Sequence, residues 1–343
     1  MRVDQPVIRL NSQLRGKSRP KVYVAREIAA PVVKQIKSFS VARTWNQRKP
    51  PPRQILLESV RDVEGLLCSL SERVDTELMD AAPRLKVVSN MAVGYDNVDI
   101  PEATKRGIPV GNTPGVLTET TADLAFGLML ASARHLVEGD KDVHAGRWKF
   151  WDPLGLLGED VHGATLGIIG MGKIGAAVAR RAKGFGMRIL YFDVVRREDL
   201  EHELGIGFVS LDELLSGSDF VTIHTDLNPR TRHLIDSKKI RLMKKNCILV
   251  NAARGPIVDT MALYRALRDR RIKGAALDVT EPEPLPSNHP LLALDNVLVT
   301  PHIGSASWMT RTKMAEVAAD NLLAGLTGKR LPFCVNPEVY GRV

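Results

Sequence analysis

Short apolar segments alternate with longer helical ones in the first third of the chain. Residues 21–26, 65–70 and 85–90 each predict a strand, and the last two are separated by a helical pattern at 75–82. Such alternation is typical of a parallel sheet whose strands are joined by helical crossovers.

A second and longer alternating series begins at residue 165. Its first helical interval has Ile174, Val178, Ala182 and Phe185 on one face, at steps of three or four residues. Six strands are predicted in this series, at 165–170, 187–193, 220–224, 247–251, 274–278 and 297–300. Six strands with helical intervals are enough for a complete doubly wound nucleotide-binding sheet.

Two helices lie outside these series. Residues 118–135 are apolar nearly all round and rich in small side chains, which predicts burial at a domain or subunit interface. A last helix at 310–326 is too little for a domain, so we expect it to fold back on the first one.

Composition is consistent with two globular domains and an intracellular location. The chain has 343 residues, of which 44% are hydrophobic and 25% charged. Its three cysteines, Cys68, Cys247 and Cys334, are far apart, which excludes a disulfide scaffold and a clustered thiolate metal site. No apolar run approaches the roughly 18–20 residues that span a bilayer, and the first residues lack a secretory signal. We therefore expect a cytoplasmic protein without membrane contacts.

The positive charge is concentrated near the N-terminus. The formal net charge is +9, but residues 1–53 alone carry 13 Lys and Arg against two acids, so the remaining residues are slightly acidic. The basic segment 43–49 around Trp45 is compatible with nucleic-acid binding or with a solvated, proline-punctuated loop, and we favour the loop. Residues 1–20 share a basic excess with mitochondrial presequences, but they contain two prolines and little serine.

The strongest motif is glycine-rich. Residues 170–175 read GMGKIG, directly after a predicted strand and at the start of a predicted helix, the context of a dinucleotide-binding turn. We expect Gly170 to form the tight turn, Gly172 to let the backbone approach a pyrophosphate, and Gly175 to allow close helix–strand packing. The helix N-terminus then favours phosphate.

An acid follows the next predicted strand. Asp193 stands where a carboxylate accepts hydrogen bonds from the adenosine ribose hydroxyls and repels a 2′-phosphate. The sequence therefore predicts that NAD(H) is preferred. Arg196 and Arg197 lie just beyond and could blunt that preference, so NADP(H) remains an alternative.

Three ionisable residues follow late predicted strands, at the sheet edge where such folds bind ligands. They are Arg254, Glu283 and His302. Arginine can hold a carboxylate and polarise a carbonyl group, a protonated histidine can donate a proton, and a carboxylate can orient that imidazole. This set suits reduction of a 2-oxo acid, and no metal is needed because the cofactor supplies the hydride.

These motifs give the chain a resemblance to the D-isomer-specific 2-hydroxyacid dehydrogenase family. The matching segments follow the family's order over about residues 21 to 340, and they are 90–99, 167–175, 251–255, 278–284 and 300–305. Residues 277–292 and 321–326 are most similar to the members that reduce glyoxylate and hydroxypyruvate. The resemblance implies NAD(P)H-dependent conversion of glyoxylate to glycolate and of hydroxypyruvate to D-glycerate.

The resemblance also implies an α/β fold of two Rossmann-like, doubly wound domains. A flavodoxin-like substrate domain would consist of residues 21–113 and 304–343, an NAD-binding domain would occupy 114–303, and residues 1–20 would form a basic extension. The helix at 118–135 is the family's dimer element, so we expect a homodimer. Trp151 matches a tryptophan with which the partner subunit helps close the substrate pocket.

The resemblance also implies a role for individual residues at matching positions. Arg254, Glu283 and His302 take the catalytic roles, with Arg254 also binding substrate. The backbone of Val93 and Gly94 would hold the substrate carboxylate, with Leu70 and Ser71 lining the same crevice. Asp278 would reach the nicotinamide carboxamide. The implied cofactor contacts are Thr121, Gly170, Gly172, Lys173, Ile174, Gly175, Asp193, Ala252, Arg254, Asp278, His302 and Gly304.

One departure and several alternatives remain. The family usually has a His-x-Pro-Leu run where this chain has His224, Thr225, Asp226 and Leu227, and an acid there could alter cofactor binding. Rival activities are those of phosphoglycerate, D-lactate and formate dehydrogenases. The Glu283 and His302 pair argues against formate oxidation. An NAD-sensing transcriptional corepressor or a methyltransferase could share the glycine turn, although a methyltransferase has no use for the ionisable set.

Overall fold

The computed structural model describes residues 18–341, and this part of the chain forms two compact units. The first contains the residues up to Val116 together with those from Ser307 onward, and the second is Leu117–Ala306. The chain passes from one unit to the other twice, and each of these two borders lies three residues after the predicted one. Most of the predicted N-terminal extension, residues 1–17, lies outside the described residues.

Strands and helices alternate through both units. The strands are β1 (Lys21–Val24), β2 (Val41–Thr44), β3 (Gly65–Cys68), β4 (Val87–Asn90), β5 (Val110–Gly111), β6 (Thr165–Ile169), β7 (Arg188–Phe192), β8 (Gly207–Phe208), β9 (Phe220–Ile223), β10 (Ile248–Asn251), β11 (Gly274–Leu277) and β12 (Val297–Val299). The helices are α1 (Ala30–Phe39), α2 (Arg53–Ser59), α3 (Thr76–Ala81), α4 (Ile100–Lys105), α5 (Thr118–Ala133), α6 (Leu136–His144), α7 (Lys173–Gly184), α8 (Glu198–Leu204), α9 (Leu211–Gly217), α10 (Ser237–Ile240), α11 (Thr260–Arg268) and α12 (Trp308–Leu326).

The first unit is built on a parallel sheet in the order β2-β1-β3-β4-β5, the flavodoxin-like order. Successive buried side chains leave the strands on opposite faces. Tyr23 and Leu66 pack with α2, α3 and α4, whereas Val22 and Leu67 pack with α1 and α12. Both faces of the sheet are therefore covered by helices.

The second unit has a seven-stranded parallel sheet in the order β12-β11-β10-β9-β6-β7-β8. This is the Rossmann order with one strand added beyond the β11 edge. Helices α5 and α7 cover one face, and α9, α10 and α11 cover the other. The strand order reverses between β6 and β9, and ligands bind such sheets at the carboxyl ends of strands beside this point. The α/β prediction with two Rossmann-like units is confirmed.

The helix predicted at 118–135 is shorter and is followed by a second one. α5 ends at Ala133, and α6 starts after His135, whose backbone is left-handed with φ of 51°. The apolar residues Ala122, Phe126 and Met129 of α5 pack into the core of the second unit itself. No helix among residues 18–341 combines the length and apolarity needed to cross a membrane.

The basic segment around Trp45 is partly taken up by internal contacts. Arg43 lies in strand β2 and binds Asp62 at 2.7 Å, while Trp45 Nε1 donates to the carbonyl of Lys49 at 2.7 Å. The prediction of a plain loop for 43–49 is wrong at its start, because β2 reaches Thr44.

Candidate active site

The glycine motif forms the turn between β6 and α7. Gly170 has φ of +94°, and a Cβ there would lie 2.7 Å from the carbonyl carbon of His224. A Cβ on Gly175 would stand 2.1 Å from the Gly170 oxygen, so both positions require glycine. Gly172 caps α7 without a side-chain hydrogen bond and has open space around it. The N–H groups at this end, including those of Lys173 and Ile174, are left for an anion.

Asp193 follows β7 and is tied to the same turn. Its Oδ2 accepts a hydrogen bond from the Met171 N–H at 2.6 Å, and its Oδ1 accepts one from the Val195 N–H at 3.2 Å. The carboxylate is half-buried and lies beside the proposed phosphate position. The turn and this acid together fit an adenine dinucleotide, because they supply backbone donors for pyrophosphate and an acceptor for ribose hydroxyls.

The two arginines after Asp193 are bound by other acids. Arg196 forms two hydrogen bonds with Glu201, at 3.0 and 2.8 Å, and these hold the pKa of Glu201 at about 2. Arg197 pairs with Asp199 at 2.7 Å and donates to the Met171 carbonyl at 3.0 Å. Both guanidinium groups are therefore engaged within the protein.

Asp278 organises the turn that carries the candidate proton donor. It is 1% exposed and accepts hydrogen bonds from Thr300 Oγ1 at 2.7 Å and from the N–H groups of Ile303 and Gly304, both at 2.8 Å. A Cβ on Gly304 would lie 3.2 Å from Asp278 Oδ2 and 3.4 Å from Cγ2 of Thr121. The structure thus brings together Thr121, Asp278 and Gly304, three predicted cofactor contacts.

His302 and Glu283 form a hydrogen-bonded pair. Nδ1 of His302 lies 2.6 Å from Oε1 of Glu283, and the two side chains are 30% and 41% exposed. The His302 backbone is left-handed, with φ of 54°, and its N–H donates to the Asp278 carbonyl at 2.9 Å. Because the carboxylate accepts from Nδ1, Nε2 of the imidazole is left to face a substrate.

Arg254 follows the neighbouring strand β10. Buried Asn251 shapes the turn, since its side chain donates to the Arg254 carbonyl at 2.9 Å and accepts from the Ala253 N–H at 3.1 Å. Ala252, a predicted cofactor contact, lies half-buried in this turn. Strands β10, β11 and β12 are adjacent, so Arg254, Glu283 and His302 follow the carboxyl ends of three neighbouring strands.

Comparison with known proteins agrees with this arrangement. Residues 126–304 match the family model described as D-isomer specific 2-hydroxyacid dehydrogenase, NAD binding domain. The glyoxylate reductase of Korarchaeum cryptofilum is 52% identical over 322 residues, which is 94% of this chain and 97% of that protein. The glyoxylate reductase of Pyrococcus horikoshii is also 52% identical, over 325 residues, with the same coverage of both chains.

A solved structure is similar as well. The NADPH-dependent glyoxylate/hydroxypyruvate reductase of Sinorhizobium meliloti, in complex with NADP and malonate, has a TM-score of 0.82 and 34% identity. The match covers 93% of this chain and 98% of that one. This chain belongs to the D-isomer-specific 2-hydroxyacid dehydrogenase family. It is therefore an oxidoreductase with an NAD-binding domain, and the predicted family is confirmed.

In this dehydrogenase the predicted substrate loops of the first unit are shaped by buried polar groups. Leu70 and Ser71 follow β3, where Glu72 accepts from the N–H of Ser69 at 2.7 Å. Burial raises the pKa of Glu72, which is 2% exposed. Sequence analysis did not single out Glu72, because an acid beside a predicted crevice gives no sign of being buried.

The second substrate loop follows β4 and carries Val93 and Gly94. Asn112 donates to the Val93 carbonyl and Asn90 donates to the Gly94 carbonyl, both at 2.9 Å. Both carbonyls are thus turned to internal donors. Trp151 lies apart from these loops along the chain and is 81% exposed.

The loop after β9 carries Asp226, at the position where the resemblance implies a proline. Asp226 is exposed and accepts a hydrogen bond from the Asn228 side chain at 2.9 Å. Two residues earlier, His224 shares a 2.8 Å hydrogen bond between Nε2 and Thr222 Oγ1, while its Nδ1 is shielded and has no partner among residues 18–341. Burial lowers the pKa of His224 to about 4, so this ring is neutral beside the glycine turn.

Proposed function

We propose that the protein reduces small 2-oxo acids with a reduced nicotinamide cofactor, converting glyoxylate to glycolate and hydroxypyruvate to D-glycerate. The observation that carries this proposal is the 2.6 Å pair of His302 and Glu283, which follows a dinucleotide-binding turn in the same sheet. The named relatives, which are glyoxylate reductases about half identical to this chain, support the same substrates.

The chemistry divides among three side chains. A bound reduced nicotinamide supplies a hydride to the carbonyl carbon of the substrate. The Arg254 guanidinium holds the substrate carboxylate with two parallel N–H groups and polarises the carbonyl. Protonated His302 donates the Nε2 proton to the carbonyl oxygen, which becomes the hydroxyl group of the product. Glu283 orients the ring and stabilises its charge while the proton is present.

The substrate carboxylate would also meet backbone donors. The N–H groups of Val93 and Gly94 find no acceptor among residues 18–341, while the carbonyls of both residues are held by asparagines. Two adjacent free N–H groups bind a carboxylate oxygen without adding a charge. Leu70 and Ser71 would line the same crevice as Val93 and Gly94.

We further propose that NADH is preferred over NADPH. Asp193 presents a carboxylate where the ribose hydroxyls bind, and its charge would repel a 2′-phosphate. Arg196 and Arg197 are paired with Glu201 and Asp199, so neither is held ready for that phosphate. The Sinorhizobium meliloti relative is NADPH-dependent, so a similar fold does not by itself fix the preference.

A homodimer completes the proposal. Six large apolar side chains are exposed between α6 and β6, each at least 50%, and they are Trp148, Phe150, Trp151, Leu154, Leu156 and Leu157. An exposed apolar segment of this kind marks a contact with another protein, and a second copy of the chain is the occupant that the family resemblance implies. Trp151 of this segment would then help close the pocket of the other subunit.

The test is oxidation of NADH followed by absorbance with glyoxylate, hydroxypyruvate, pyruvate and phosphohydroxypyruvate, with NADPH in parallel. We expect the first two acids with NADH to give the highest kcat/KM. Turnover of another acid in preference would move the protein to a different branch of the family. Binding of NADH without turnover of any acid would contradict the proposal and favour a sensing protein of the corepressor type.

A further inference from the structure

A second histidine–glutamate pair lies beside the first. Nε2 of His233 is 2.7 Å from Oε2 of Glu281, and Arg232 donates to Oε1 of the same carboxylate at 2.5 Å. Glu281 is only two residues before Glu283 in the segment 280–284, here called the Glu283 loop. Its side chain is 26% exposed, so it is turned largely into the protein.

His233 also binds the neighbouring catalytic segment through its backbone. Its N–H donates to the Pro256 carbonyl at 2.8 Å, within the segment 252–257, here called the Arg254 loop. His233 therefore contacts the Arg254 loop with its main chain and the Glu283 loop with its ring.

The two loops also touch each other directly. A Cβ on Gly255 would lie 1.9 Å from the Thr280 carbonyl oxygen and 2.8 Å from the Glu281 N–H nitrogen. Gly255 is thus packed against the peptide bond that starts the Glu283 loop, and no side chain fits between them. A change in the position of Glu281 must therefore shift the loop that follows Arg254 as well.

The two carboxylates of the Glu283 loop contact different partners. Glu281 faces Arg232 and His233, whereas Glu283 faces His302. The other acid close to the His302 turn is buried Asp278, whose carboxylate is occupied by Thr300, Ile303 and Gly304. Because Glu281 is held by Arg232 and His233, Glu283 is the carboxylate that contacts the His302 imidazole.

We propose that His233, assisted by Arg232, is a positioning residue that fixes the Glu283 loop against the Arg254 loop and so sets the contact between Glu283 and His302. This deepens the proposed function, on which it rests, because it assigns no new reaction. Replacing the ring removes the side-chain contact with Glu281 and leaves only the packing of Gly255 between the loops, and Glu283 is then held less firmly against His302.

The experiment compares His233→Leu with His233→Gln, whose amide Nε2 can donate to Glu281 as the ring does. His202→Leu, on the exposed side of α8, is the matched control. We expect His233→Leu to lower kcat roughly 10-fold with little change in the KM for NADH. His233→Gln should recover most of that loss, and the control should match the wild type.

A second readout does not depend on turnover. The ring signals of ¹⁵N-labelled histidine are recorded by NMR at one fixed pH in the full-length protein, with His302→Gln assigning the His302 signals. We expect the Nδ1 signal of His302, which reports its contact with Glu283, to move in His233→Leu and to stay in place in His233→Gln. If no 2-oxo acid is turned over while this shift occurs, the positioning role stands and the proposed function fails.

The proposal is overturned by an unchanged Nδ1 signal of His302 together with an unchanged kcat in folded His233→Leu. It is also overturned if the Leu and Gln variants lose activity equally, since that indicates a packing role only. If His233→Leu does not fold, Glu281→Gln takes its place. That variant keeps the shape of the side chain, removes the charge and carries the same expectations.

Discussion

His302 and Glu283 are joined by a hydrogen bond of 2.6 Å between Nδ1 and Oε1, although they lie 19 residues apart in sequence. The bond assigns one ring nitrogen to the carboxylate and leaves the other for the substrate in the proposed mechanism. The turn of His302 is held in addition by Asp278, whose carboxylate accepts three hydrogen bonds from it and whose carbonyl accepts one from the His302 N–H. In the proposed mechanism the proton donor is thus oriented before any substrate binds.

His302→Gln should lower kcat by roughly 10²–10⁴-fold, because glutamine cannot donate a proton to the carbonyl oxygen. The affinity for NADH, measured by fluorescence titration, should stay within about twofold of the wild type. His289→Gln, which changes a histidine outside the proposed chemistry, is the control. An unaltered kcat in His302→Gln would remove this residue from the mechanism.

Arg254→Lys should lower the catalytic efficiency even though the positive charge is kept. A lysine ammonium cannot offer the two parallel N–H groups with which a guanidinium holds a carboxylate, so kcat/KM for glyoxylate should fall by at least about 10²-fold. Steady-state kinetics measure the loss, and Arg265→Lys on α11 is the matched control. Near-normal efficiency in Arg254→Lys would contradict two-point binding of the substrate carboxylate.

Asp193→Asn should raise the preference for NADPH. Asparagine can still accept the 2.6 Å hydrogen bond from the Met171 N–H, so the turn is kept while the charge is removed. The ratio of kcat/KM with NADPH to that with NADH should rise roughly 10-fold, and calorimetric binding of NADP⁺ should tighten in parallel. Glu198→Gln, at the start of α8, controls for a general loss of negative charge. A ratio that does not move would mean that Asp193 only shapes the turn.

Phe150→Glu should weaken the proposed dimer. Phe150 is 73% exposed in the segment that follows α6, and a carboxylate there would have to lose its water on association. Light scattering should show a dimeric wild type and a variant shifted toward the monomer. The adjacent Lys149→Glu adds negative charge at an exposed residue next to it and should remain dimeric. A wild type that is monomeric at micromolar concentration would contradict the dimer itself.

Much of the fold could be predicted because its central strands are continuous apolar runs. β6, β9, β10 and β11 are buried on both faces, and each was predicted to within one or two residues. The missed strands have weaker patterns, since β5 and β8 have two residues each and the edge strand β2 alternates between exposed and half-buried positions. The predicted helix at 118–135 missed the break at His135, because a left-handed histidine has no marked sequence signal.

The candidate site also contains residues that a local sequence pattern indicates and residues that no such pattern indicates. Gly170 and Gly175 could be identified because their motif directly follows a strand, and Arg254, Glu283 and His302 because each follows the end of one. The supporting contacts could not be identified, since Glu281 meets His233 across 48 residues and no local pattern links them. The cofactor contact of Asp278 stays a prediction, and its hydrogen bonds with the turn at 300–304 are an additional role that no local pattern indicates.

The folding stability should fall at low pH, in part because of His224. Its pKa of about 4 in the folded protein is below the ordinary 6.5, because burial disfavours the charged ring. As pH falls below about 6.5 the unfolded chain binds this proton first, so stability is complete above that pH and is lost progressively down to about pH 4. Protonation of this one histidine should lower the free energy of unfolding by about 3 kcal/mol in total.

His224→Gln should remove that part of the pH dependence, since glutamine does not titrate and its amide can keep the contact with the Thr222 hydroxyl. Calorimetry at about pH 7.5 and about pH 4.5 should show a smaller fall in Tm for the variant than for the wild type. His202→Gln changes an exposed histidine of the same unit, and its Tm should fall by as much as that of the wild type. Equal falls in all three proteins would mean that His224 is protonated as easily in the folded chain as in the unfolded one, and that the ring beside Gly170 is not kept neutral.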